Sequence, residues 1–276
     1  MGCWHLSFPA KGRYPPFPNE HSRRAAVRKL VRVAGKEMAL FCIVDDHLHI
    51  VVWCCSHRRA VLIGRSIVRA THPLTAAQLC PPHVKPVETR AHLERLVRYH
   101  LEQVVHHGLQ GADPALWSGS CFQDMVGARA IDGLELRIAQ VLPRFRLQQA
   151  FEYVGLPPVP LVALDDRTVR AAGATRIVHA AASALAVGDA LAGRHAPVVL
   201  AKRAAVQTGT WVGISTAEMA WALRTTTQTI RRLKMPPIKP RVLRAVRLRL
   251  ALEHTRASSP MRLPARTDRP HDAAWR

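Results

Sequence analysis

The sequence predicts an α+β chain whose first half mixes strands with helices and whose second half is all helix. Two observations carry this. Up to about residue 128, short apolar runs of strand length alternate with stretches in which apolar residues recur every three or four positions. Beyond the break Pro157-Pro158-Val159-Pro160 only the helical period persists. The expected organisation is therefore a strand-containing domain over 1–128, a helical connector and Pro-rich linker over 129–167, a helical domain over 168–254, and a polar, basic, disordered tail over 255–276. Charge is the third observation. Lys and Arg number 40 against 19 Asp and Glu, a formal net charge of +21. Arg- and Ala-rich usage accounts for part of that surplus, yet so large an excess points to a polyanionic partner, nucleic acid first.

The elements follow in order. A strand is expected over 4–8, stopped by Pro9, and then a Pro- and Gly-rich loop. Asn19 caps a helix over 20–34, with Ala25, Ala26, Leu30, Val31 and Ala34 as its apolar stripe. Its other face carries Arg23, Arg24, Arg28, Lys29 and Arg32. A strand over 38–44 turns at Asp45-Asp46, read as turn residues, into a second strand over 47–53. A helix is expected over 58–71, and the stretch 73–86 reads as turns. Leu93, Leu96, Val97, Leu101, Val104 and Val105 make 89–107 an amphipathic helix closed by Gly108. After Trp117-Ser118 the pattern is irregular, then helical over 134–154.

No apolar run approaches the roughly 20 residues that span a bilayer, and Met1-Gly2-Cys3-Trp4-His5 lacks the basic start and apolar core of a signal peptide. A cytoplasmic, nucleoid-associated protein with no membrane partner is expected. The six cysteines form no C-x-x-C pair and no zinc-finger spacing, which agrees.

The chemistry concentrates at Val44-Asp45-Asp46-His47-Leu48-His49-Ile50. Residues i and i+2 of a strand share a face, so His47 and His49 present two imidazoles side by side. Imidazole is the commonest protein metal ligand. Tyr99 is a candidate nucleophile, and Gln103 lies one helical turn beyond it with an amide oxygen to offer. A phenol is a weak nucleophile until a base, a cation or geometry assists it. A divalent metal beside a phosphodiester polarises the phosphoryl oxygens for in-line attack. His106 and His107 are read as complements to the helix dipole.

These residues resemble the single-tyrosine HUH transposases of bacterial insertion sequences, and among them the REP-associated tyrosine transposases. Asp45-Asp46-His47-Leu48-His49-Ile50-Val51 is similar to the family's His-hydrophobic-His strand. The run from Arg98 and Tyr99 through Gln103 to Gly108-Leu109 is similar to its nucleophile helix, and Leu116-Trp117-Ser118-Gly119-Ser120 to a Trp-Ser-Ser segment that follows. Residues 4–128 are covered. The resemblance implies a ferredoxin-like HUH domain with an antiparallel sheet, usually active as a homodimer. It implies recognition of single-stranded DNA bearing a hairpin or palindrome, with Mg²⁺ or Mn²⁺ as cofactor. Tyr99 would be the catalytic residue, cutting and rejoining strands through a 5′-phosphotyrosine, and His47, His49 and Gln103 the metal ligands. Many relatives carry Asn-Pro where this chain has Gln103-Val104, but Gln keeps the carbonyl oxygen.

In the second half, 214–223 followed by 224–233 reads as a helix-turn-helix. Met219, Ala220 and Leu223 pack the first helix, and Ile230 and Leu233 the second. Thr226, Thr227, Gln228, Arg231 and Arg232 face outward as DNA-binding candidates, short polar groups for base edges and arginines for phosphates. With Arg176-Ile177-Val178, Leu191-Ala192-Gly193-Arg194 and Ala201-Lys202-Arg203 before it, this region resembles the duplex-binding domain of the bacterial replication initiator. The Asp-His pair of that domain's recognition helix is replaced near Thr226 and Thr227, so the resemblance implies duplex binding without its sequence target. Two rivals stay open: a non-catalytic DNA-binding regulator on the same scaffold, and a nucleotidyl hydrolase of the histidine-triad sort, which would want a histidine where Val51 stands.

Overall fold

Strand β1 (Gly2–Pro9) is one of the two inner strands about which the first half is built. The computed structural model describes residues 1–12, 14–109, 112–235 and 237–258. Helix α1 (Glu20–Ala34) starts at a capping box in which the Asn19 side chain accepts from the Ser22 N–H. Strands β2 (Met38–Ile43) and β3 (His47–Cys54) form a hairpin through Asp45-Asp46, then come α2 (His57–Thr71), β4 (His83–Val87) and α3 (Arg90–His106). The sheet order is β2-β3-β1-β4, and all pairings are antiparallel. That βαββαβ order is the ferredoxin-like arrangement. Its two crossovers put α1 and α2 together on one face of the sheet, and α3 covers the other. With both faces covered, β2 is buried throughout and β3 nearly so, which is why their sequences read as almost continuous apolar runs.

Three local expectations are corrected. The stretch 73–86, read as turns, contributes most of β4. Its Pro86 hides the strand in the sequence but is tolerated because β4 is an edge strand with one free side. The helix expected over 134–154 is two short ones, α5 (Ile138–Val141) and α6 (Leu147–Tyr153), preceded by α4 (Phe122–Met125). Pro143, which cannot donate a helical hydrogen bond, stands in the gap between α5 and α6. The final helix outruns its expected end, so 255–258 are helical, while the rest of the expected tail, 259–276, lies outside the described residues.

The second half is helical: α7 (Asp166–Ala184), α8 (Ala196–Trp211), α9 (Thr216–Ala222), α10 (Thr227–Lys234) and α11 (Pro240–Ser258). It has an apolar core of its own, around residues such as Val169, Ile177, Val206, Met219, Ile230 and Val246. The two halves nevertheless interlock. Leu248 and Leu252 of α11 enter the core of the first half. Buried Arg24 of α1 donates to the Val187 carbonyl at 2.7 Å, the Ser183 hydroxyl at 2.8 Å and Asp189 at 2.6 Å.

The other edge, β2, is closed by 117–121. The Ile43 N–H donates to the Gly119 carbonyl, the Cys121 N–H to the Phe41 carbonyl, and the Trp117 indole to the Ile43 carbonyl at 2.7 Å. Covering an edge removes a template for unwanted strand pairing. Buried Arg129 holds this segment from behind, donating to the Ser118 and Ser120 carbonyls and lying 3.3 Å from buried Asp124. Removing the cation strands a carboxylate and two carbonyls away from water, so Arg129→Met should cost about 3 kcal/mol in urea unfolding. Arg129→Met/Asp124→Leu should recover only part of that, because the two carbonyls still lack a donor.

Candidate active site

β3 fixes the centre. His49 pairs with Ser7 of β1 and Cys42 of β2, and His47 pairs with Pro9, so both imidazoles rise from one face with ring centroids 4.3 Å apart. α3 crosses that face. The half-buried Tyr99 brings its hydroxyl to 3.2 Å from His49 Nε2. At the other end of the helix the ring of His107 lies 4.8 Å from that of His47. Gln103 stands midway, one turn from each, in the i, i+4, i+8 row 99–103–107. It is 1% exposed, and its Oε1 is buried with no hydrogen-bond partner among the described residues. The structure thus brings Tyr99, His47 and His49 together and places Gln103 on the same face.

Four further residues belong to the cluster. The carboxylate of Asp46, read from sequence as a turn residue, lies 2.5 Å from His47 Nδ1, a bond that holds the Asp46 carboxyl below its usual range. His107, read as a dipole partner, lies with its Nδ1 3.6 Å from the same carboxylate. His5 of β1 shares a hydrogen bond of 3.1 Å with His49 Nδ1, their rings stacked at 5.1 Å. Fully buried His100 donates from Nδ1 to the Leu96 carbonyl at 2.7 Å and packs its ring edge-on to both His5 and His49. Two of these left a signal in the sequence. His100 falls on the apolar stripe of α3 between Leu96 and Val104, and Asp46 adjoins His47. The proximity of His5 required the register of β1 against β3.

Burial is the first cause of the electrostatics. It pushes the pKa of His49 and of His5 well below the usual imidazole value, reinforced by neighbouring histidines, and that of His100 down to about 4. Neutral imidazoles are the form that binds metal. The residues fit a cation. With Nδ1 tied to Asp46, His47 keeps a lone pair on Nε2, and that atom is buried without a hydrogen-bond partner among the described residues. Gln103 Oε1 is the second such atom. His49 joins them in the tautomer that donates Nδ1–H to His5 and keeps a lone pair on Nε2, the atom that now meets Tyr99. Two imidazoles and an amide oxygen are a donor set for a divalent cation. Asp46, His47 and His107 also have ligand atoms within 4.8 Å of one another, a second grouping on the outer side of His47.

The helix-turn-helix candidates lie elsewhere. Thr226, Thr227, Gln228, Arg231 and Arg232 are all exposed along α10, while Ile230 is buried. The Thr226 hydroxyl is committed to capping, accepting from the Thr229 N–H at 3.2 Å. The turn lacks glycine, and Arg224 takes the left-handed conformation there with φ 48°.

No protein-family model matches this chain, and no curated protein matches it. Among solved structures, it is similar to a REP-associated tyrosine transposase bound to a REP hairpin, with a TM-score of 0.37 and 15% identity. The match covers 49% of this chain and 82% of that one. No helix among the described residues is long and apolar enough to cross a membrane.

His100 makes the fold acid-sensitive. Its folded pKa of about 4 lies below the unfolded value of 6.5, so between these values the folded chain binds fewer protons than the unfolded chain. Stability present at neutral pH is therefore lost as pH falls through that window, by about 1.4 kcal/mol per pH unit for one such group. Urea unfolding in EDTA from pH 7.5 to 4.5 should show this loss, and His100→Leu should reduce the slope by about one proton.

Proposed function

We propose that this chain is a transposase-type endonuclease and strand transferase that cuts and rejoins single-stranded DNA through Tyr99. The observation that carries the reading is the Tyr99 hydroxyl held 3.2 Å from His49 Nε2, beside the buried, unpartnered His47 Nε2 and with Gln103 one turn away. A phenol held against one imidazole, with a second imidazole and an amide oxygen on the same face, is an arrangement for phosphoryl transfer.

His47, His49 and Gln103 would hold a Mg²⁺ or Mn²⁺ ion, which when bound supplies charge to the phosphoryl oxygens. Asp46 orients His47, and His5 keeps the His49 proton on Nδ1. Tyr99 attacks phosphorus from α3, a rigid mount that limits its approach to the line set by His49. A bond forms between the Tyr99 oxygen and phosphorus as the bond to the 3′-oxygen breaks. The proton lost by the phenol balances the one gained by the leaving 3′-hydroxyl, and the 5′-phosphate stays on Tyr99. Attack by another 3′-hydroxyl reverses the step and joins strands. In this reading 1–128 is the catalytic HUH domain and 168–254 a duplex-binding domain. Gln228 and Thr227 face base edges there, and Arg231 and Arg232 face phosphates. Two linked DNA-binding units raise local concentration, so each need bind only moderately. The partner is hairpin-bearing single-stranded DNA beside duplex, and the active unit a homodimer.

Labelled hairpin-bearing single-stranded DNA from beside the chain's own gene, with Mg²⁺ or Mn²⁺, should give a denaturation-resistant protein–DNA band. Tyr99→Phe should abolish it, and Asp46→Asn should slow it by about 10- to 100-fold. Arg231→Gln/Arg232→Gln should weaken duplex binding by about tenfold and leave the band on short single strands unchanged. DNA binding with no band, across several hairpins and both metals, would replace this reading with a non-catalytic regulator.

A further inference from the structure

α1 turns its basic side toward a cleft of about 410 Å³, whose opposite wall is the segment 186–195 between α7 and α8 with Val198 at the start of α8. Arg28, Lys29 and Arg32 line the α1 side with His21, and His195 lines the other. None of Arg28, Lys29 and Arg32 has a hydrogen-bond or ion-pair partner among the described residues, whereas Arg24 beside them is fully engaged. Arg28 is half-buried, and desolvation together with nearby Arg32 disfavours its charge. Asp189 is the one acid among the lining residues, and its carboxylate is taken by Arg24 at 2.6 Å, with His179 3.7 Å away. The cleft therefore offers cations without counterions.

Its walls are also fixed in advance. Arg24 reaches across from α1 to the Val187 carbonyl, Asp189 and the Ser183 hydroxyl, so the loop opposite is held at a set distance. A ligand entering a rigid site does not have to order it first. The length of the row bears on ligand size. Arg28 and Arg32 are about 6 Å apart along the helix axis, and His21 to Arg32 spans about 16 Å, at 1.5 Å per residue. A single phosphate would meet one end of such a row; a polymer meets all of it.

We propose that this cleft binds the sugar–phosphate backbone of a nucleic acid as it passes between the sheet half and the helical half of the chain. The inference rests on the nucleic-acid reading above and adds a site outside both Tyr99 and α10. Contacts here are to phosphates, so they position the strand without reading its sequence. They also place a guide between the unit that would cut and the unit that would anchor.

The test uses the full chain and fluorescence anisotropy of a labelled DNA hairpin with single-stranded flanks, titrated over a range of salt. Arg28→Gln/Lys29→Gln/Arg32→Gln should weaken binding by about tenfold or more near 0.15 M salt and lower the salt slope by about two. Arg28→Lys/Arg32→Lys should stay within about threefold of the parent, because point charges suffice for backbone contacts. A control with the same charge loss on α2, Arg58→Gln/Arg65→Gln/Arg69→Gln, should lose less than about threefold. Should the triple variant prove unstable, the exposed Arg32→Gln alone should still lower the slope by about 0.7.

Equal losses in the two triple variants would overturn the proposal in favour of diffuse charge. Displacement of the DNA by low-millimolar inorganic phosphate at matched ionic strength, lost in the cleft variant, would overturn it in favour of a small-anion site. The covalent band separates this inference from the parent reading. A band with unchanged slope in the cleft variant sinks the cleft alone. A lowered slope with no band in any variant keeps the cleft and sinks the nuclease.

Discussion

The register of β3 between β1 and β2 is the constraint on which the candidate site depends. Strand side chains alternate, so a slip of one residue would send His47 and His49 to the face covered by α1 and α2 and bring Leu48 and Ile50 under α3. That slip is prohibited from both sides. Leu48, Ile50 and Val52 are buried against the two crossover helices, and the hairpin at Asp45-Asp46 and the bonds of 117–121 to β2 pin the neighbouring strand. Placing both imidazoles beneath a helix has an electrostatic consequence. His49 is withdrawn from water, so it stays neutral, and a neutral imidazole can ligate a cation or accept a proton from a phenol.

Much of this was legible because it is local. The Asn19 cap, the strand at His47, the helix carrying Tyr99 and Gln103, and the two helices around Arg224 all follow from spacing and capping within a few residues. What was not legible is non-local or depends on context. β4 carries Pro86, which argues against a strand until the strand is known to lie at an edge. Asp46 reads as a turn former because it is one; that its carboxylate also meets His47 depends on the path of the hairpin. His5 reaches His49 only through pairing across 44 residues, information that no window along the chain contains. His100 reads from sequence as lying elsewhere on the helix than the stripe, and the structure corrects this: one turn from both Leu96 and Val104, it is fully buried.

Buried arginines hold the parts in place. Arg24 bonds to the helical half and Arg129 to the segment that closes β2, each satisfying carbonyls that would otherwise lie buried without donors. Such groups add little net stability against well-packed apolar side chains, because desolvating a cation is expensive. Their bonds are directional, however, and fix relative position more narrowly than apolar contact does. In a chain of net charge +21 they have a second effect, keeping some of the positive charge inside and paired. The exposed, unpaired remainder then sets the chain's long-range field.

The single atom His49 Nε2 sets the logic of the site. It meets the Tyr99 hydroxyl, and it is also the atom through which His49 would ligate a cation. One lone pair serves one partner at a time. With no cation present the phenol is held by the His49 ring at 3.2 Å. Were the ring to ligate a cation in the proposed reaction, the Tyr99 hydroxyl would have to give up that bond. Holding the Tyr99 hydroxyl and ligating a cation would thus be alternative uses of one lone pair, on a ring whose other nitrogen His5 keeps occupied. In the proposed reaction the lone pair of His49 would thus link the freedom of the Tyr99 hydroxyl to the presence of the cation.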